Sequence, residues 1–117
     1  MIAVIFEVKP TQNGKDEYLK LAGELKPLLE NQKGLISIER FQSFLDEGKL
    51  LSLSFWEDET AITAWRNVLE HRLAQQKGSD ALFESYRIRV AEVVRDYSDS
   101  DRTETPKESE IFRATGN

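Results

Sequence analysis

Hydrophobic and polar positions alternate with a period of two at the start of the chain. Ile2, Val4, Phe6 and Val8 share one side of an extended segment, and Ala3, Ile5 and Glu7 take the other. β-Branched and aromatic residues at that spacing predict a strand over 2–9. KPTQNG closes it: Pro10 cannot continue the ladder, and Asn13–Gly14 turns the chain. The period then changes. Tyr18, Leu21, Ala22, Leu25, Leu28 and Leu29 recur at helical spacing on a charged rod, which predicts a helix over 15–32. Pro27 falls inside that stripe without ending it, so a kink is expected there. Gly34 stands where a left-handed residue is wanted beyond the helix.

Two shorter runs, 35–44 and 49–56, flank LDEGK, a hairpin connection that turns on Gly48. Asp58 is placed to cap a second helix, ETAITAWRNVLEHRLAQQ. KGSDALFESY is a break with room for one helical turn, and YRIRVAEVVRDY (86–97) predicts a last long strand. The order strand–helix–strand–strand–helix–strand makes two βαβ halves. It predicts an α+β, ferredoxin-like βαββαβ fold, a four-stranded antiparallel sheet with both helices on one face. Residues 1–97 then form one domain. Residues 98–117 are a polar C-terminal tail, flexible or docked on a partner subunit through Ile111 and Phe112. The second face of the sheet is expected to mix Ile5, Leu50, Trp56, Ala91 and Val93 with Glu7, Ser52 and Ser54. A face that apolar calls for a cover, and the same face of a second copy is the simplest one, so a homodimer is expected.

Composition narrows the chemistry. The chain has 117 residues, 39% hydrophobic and 32% charged, with a net charge of −5. That suits one folded domain and argues against a nucleic-acid partner, which needs clustered Lys and Arg. With no cysteine there is no disulfide, thiolate nucleophile or cysteine-bound metal, and a single histidine makes a metal site a poor expectation. MIAVIFEVKP is too short and lacks the leading basic residues of a secretory signal, and no run reaches the ~18 apolar residues of a membrane span. A cytoplasmic location with no membrane partner is the expectation.

SFWEDETAITAWRNVLEHRLAQQKG holds both tryptophans and the one histidine. At roughly 100° per residue, Trp65 lies at the centre of the buried stripe with Ala61, Val68, Leu69 and Arg72. His71 lies on its shoulder and Glu70 points away. Two readings stand. In the first, Trp65 is core, His71 is half exposed and Arg72 snorkels. In the second, the indole faces small sheet residues (Ser52, Ser54, Ala91) and bounds a pocket, with Phe83 and Tyr86 as further aromatic wall and Arg72 as an anion handle.

The words FWEDE closing a strand, AWR and EHR in the next helix, and YRIRV in the last strand resemble the antibiotic biosynthesis monooxygenase family of dimeric α+β-barrel proteins, over residues 1–97. The resemblance implies one of two chemistries. Quinone-forming members oxidise phenols with molecular oxygen and no cofactor, using a helix Trp, an Asn one turn earlier, a Tyr six residues later and an Arg further on. Here Trp65 matches, Ala61 replaces the Asn, His71 replaces the Tyr, and Arg87 or Arg89 stands for the Arg. Haem-degrading members need a strand Asn and a ligating His, where this chain has Glu7 and Gln75. The expectation is therefore a cofactor-free monooxygenase acting on a small aromatic phenol or quinol. Trp65 and His71 would be catalytic, His71 as the base for the hydroxyl proton, and Phe83, Tyr86, Arg72 and Arg87 would bind substrate. The alternative is a dimeric α+β-barrel protein that holds a small ligand without turning it over.

Overall fold

The computed structural model describes residues 1–75 and 82–108, with the backbone alone for 72–75. Its elements run β1 (Ile2–Pro10), α1 (Lys15–Glu30), β2 (Leu35–Gln42), β3 (Leu50–Trp56), α2 (Glu59–Gln75) and β4 (Phe83–Glu92). The strands form one antiparallel sheet in the order β2-β3-β1-β4. This is the expected ferredoxin-like arrangement.

The local signals act as their chemistry dictates. Asp58 caps α2: its Oδ1 accepts the Ala61 amide at 2.9 Å. α1 runs through Pro27 without a break and buries Tyr18, Leu21, Ala22, Leu25 and Leu29. Gly34 has φ 91°, and a Cβ there would meet the Ala61 methyl at 2.5 Å, so this turn needs glycine twice over. Between β2 and β3, the Ser43 hydroxyl accepts the amides of Leu45 and Asp46, and Asp46 accepts that of Gly48. The last strand begins at Phe83 and ends at Glu92, earlier than the 86–97 read from hydropathy. Beyond it the Val93 amide donates to Met1 and the chain leaves the sheet.

One expectation about the sheet is reversed. The sequence pattern puts Leu50 and Trp56, with Ser52 and Ser54, on the open face. Leu50 and Trp56 lie on the helix-covered face, in register with Val8 and Ile2, and Trp56 is only 1% exposed. Ser52 and Ser54 share that side, whereas Leu51, Leu53 and Phe55 join Ile5 and Glu7 on the open one. A side-chain period of two means that a one-residue error moves the whole set across the sheet. Ser54 is tolerated inside because its hydroxyl accepts the Trp56 indole N–H at 2.9 Å.

Beneath the helices the core divides into two clusters, one of Val8, Tyr18 and Leu50, the other of Leu21, Leu25 and Leu82. Phe83 packs against both, and Trp65 and Leu69 extend the second.

Candidate functional site

Where the two clusters meet, the packing leaves a chamber of ≈ 110 Å³ between the sheet and the helices. Trp65 and Leu69 from α2, Leu25 from α1, and Phe6 and Phe83 from the sheet supply hydrocarbon walls. Ser52 is the small inward residue of β3 that opens the floor. The volume is of the order that admits a single ring, since an apolar cavity of ~150 Å³ takes up benzene.

Two groups make one end of the chamber polar. Tyr18, 6% exposed, sets its ring edge-on to Phe83 at 5.7 Å. Burial pushes its phenol above the ordinary 10.0, and the charge and hydrogen bonding of Arg40 oppose that rise. Arg40 lines the chamber from β2 and is itself exposed, which places it at the opening.

Among the residues expected to form the site, Trp65 and Phe83 are brought together on the wall. Tyr86 stands beside them, its ring 6.2 Å from Phe83 and 6.1 Å from Phe6, and is 64% exposed on the edge strand. His71 lies on the exposed flank of α2, outside the lining, as its shoulder position on the helical wheel implies. Arg87 is in register with Glu7 and belongs to the open face of the sheet. The Arg72 side chain lies outside the described residues. Ala91 pairs with Ala3 on the open face, so it does not face the indole. Tyr18 and Arg40 escaped the sequence reading. Tyr18 heads the apolar stripe of α1, and Arg40 keeps the parity of Ile38, the inward residue of β2; that parity was the available signal.

On the open face, Glu7 accepts from Arg89 at 3.2 Å and pairs with Lys49 at 3.3 Å. These contacts hold its carboxyl below the ordinary 4.5, hydrogen bonding to Lys49 being the largest cause. Among the described residues no cluster of three or more His, Cys, Asp or Glu is placed to hold a metal.

The sequence profile of the antibiotic biosynthesis monooxygenase family matches residues 1–77. The chain belongs to this family. It is 44% identical over 93 residues to a jasmonate monooxygenase of Pyricularia oryzae, covering 80% of this chain and 43% of that protein. It therefore spans less than half the length of that relative. It is also 33% identical over 93 residues to the uncharacterized protein YqjZ of Bacillus subtilis, covering 80% of this chain and 79% of the other. Among solved structures, Rv0793 of Mycobacterium tuberculosis superposes with a TM-score of 0.70 at 20% identity, covering 83% of this chain and 98% of that one. The haem degrader MhuD of the same organism gives 0.65 at 18% identity, covering 84% and 100%, and was solved with two haems in its active site. At these identities the structures show the fold alone. The described lining holds no His, Cys or Met, and Tyr18 is its one side chain of a type that ligates haem iron. No described helix is long and apolar enough to cross a membrane.

Proposed function

We propose that the chamber under α2 is the active site of a monooxygenase that oxidises a small phenol or quinol with molecular oxygen, without a cofactor in any step. The observation that carries this reading is the ring-sized, mostly apolar chamber walled by Trp65 and Phe83, with Tyr18, Arg40 and Ser52 as its polar lining. A phenol enters with its hydroxyl toward Arg40 and Tyr18. The guanidinium favours the ionised form, and the proton leaves to water at the opening. The phenolate gives one electron to oxygen, and the resulting superoxide and phenoxyl radical join through a new C–O bond. The ring hydroperoxide loses its ring proton as the O–O bond breaks. One oxygen remains as a quinone carbonyl and the other departs as water, so phenol and oxygen give quinone and water. Dry walls keep the radical pair from side reactions.

His71, outside the lining, is not given the role of base. His71→Ala is expected to leave turnover within about twofold, and Trp65→Ala to lower it by about tenfold or more through lost positioning. An oxygen electrode with dihydroxy-aromatic compounds is the test. Protein-dependent uptake that falls in Trp65→Ala supports the reading; equal uptake in the two variants refutes it. The second reading, a binding module without turnover, is favoured by one feature: the described lining contains no acid–base side chain besides Tyr18. Saturable binding with no oxygen uptake would select it.

We further propose that the open face pairs with a second copy. Ile5, Leu51, Leu53 and Phe55 lie there half-buried, and Phe41 is 43% exposed beside them. Sedimentation is expected to give a dimer that Leu53→Glu splits; a parent chain that sediments as a monomer would refute the pairing.

A further inference from the structure

Arg40 is the one charged group in the described lining of the chamber. Three other cations of the sheet are paired with carboxylates, Lys9 with Asp46 and Lys49 and Arg89 with Glu7, and Arg87 lies on the open face away from the chamber. No carboxylate of the described residues stands within ion-pair distance of Arg40, and the buried Tyr18 lines the same chamber, where the charge of Arg40 bears on its phenol. A guanidinium carries five donors in a planar fork. Two parallel N–H groups of such a fork match a carboxylate.

We infer that Arg40, positioned by Tyr18, sets the specificity of the chamber, and that the ligand class is a small organic acid. Its carboxylate sits at the opening on Arg40, and its apolar ring lies inward against Trp65 and Phe83. The inference rests on the chamber being the ligand site, not on the reaction proposed there; a ring acid whose oxidisable hydroxyl is adjacent to its carboxylate brings both groups to Arg40 and satisfies both. Exposure at the opening lets solvent weaken the charge contact, so a moderate preference is expected, one that falls as salt rises.

The test is titration of the full chain at pH 7 with matched pairs, benzoate against benzamide and cyclohexanecarboxylate against cyclohexanecarboxamide. The acid of each pair is expected to bind about tenfold tighter, the worth of one charge-assisted hydrogen-bond pair in a partly wet site. Arg40→Gln should erase the difference while leaving the amide affinity in place, and Arg40→Lys should restore only part of it. Tyr18→Phe should lower acid affinity a few-fold and leave amide affinity unchanged. Equal affinities within a pair, or an acid preference that survives Arg40→Gln, would overturn the inference. Preference for acids, together with no protein-dependent oxygen uptake from dihydroxy-aromatic compounds, would sink the monooxygenase reading and leave this one standing. Failure of every ring compound to bind would sink both.

Discussion

Two arginines on the same sheet show how differently its faces use charge. On the open face Arg89 is answered by Glu7, which Lys49 also holds, and the three form a closed network among strands. On the covered face Arg40 shares the lining of an apolar chamber with Tyr18. An answered charge on a partly wet surface contributes little to stability and mostly fixes geometry. A cation at the mouth of a hydrocarbon pocket, with no carboxylate of the described residues beside it, has its donors in place for a ligand. The lesson is that charge alone does not mark a site; charge at the mouth of dry walls, with no carboxylate among the described residues to answer it, does.

The largest effect expected concerns the covered face itself. Trp56→Ala should cost about 3–5 kcal/mol in chemical denaturation, because a 1%-exposed indole leaves a cavity and strands the Ser54 hydroxyl. Phe55→Ala, one residue away on the open face, should cost clearly less in the dissociated chain; equal losses would erase the contrast between faces. Next comes the pair of arginines. Arg40→Gln should lose about tenfold in acid affinity, while Arg89→Gln leaves it unchanged. A matching loss in both would mean that the two charges act through the field of the whole protein and not through contact.

Smaller effects follow from titration. Tyr18 ionises above the ordinary 10.0 because it is buried. Its contribution is therefore present below pH 10.0 and lost as pH rises through the folded value. Tyr18→Phe should flatten the alkaline loss of stability and remove a late component from the ultraviolet phenolate titration. The smallest effect belongs to Glu7, whose pKa is lowered by Lys49 and the neighbouring arginines. Its contribution is present above pH 4.5 and fades as pH falls through the lowered folded value. Acid melting curves of Glu7→Gln should decline slightly less than the parent's over that window, since water screens this partly exposed carboxylate.

Much of the fold was legible in the chain. The period-two run at Ile2–Val8, the stripe from Tyr18 to Leu29 and the Asp58 cap each carried one physical instruction, and nothing in the tertiary structure overrides them. LLSLSFW misled because both of its parities are plausible. Ser52 and Ser54 look like outward residues, yet Ser54 is satisfied by an indole and Ser52 makes room for the chamber. The site was half legible. Trp65 was found because an indole in an apolar stripe stands out, and Phe83 because it follows the same helix. Tyr18 and Arg40 lie far apart in sequence and meet only when β2 and α1 fold onto the same edge, so no local spacing announces them. His71 stood out by rarity, and rarity says nothing about which way a helix turns it.

The most direct measurement is a ¹H–¹⁵N spectrum of the two indole N–H groups during titration with benzoate, assigned by Trp65→Phe. The account predicts that the Trp65 signal shifts saturably while that of Trp56, locked on Ser54, stays in place. Binding that leaves the Trp65 signal unmoved would contradict the chamber as the site.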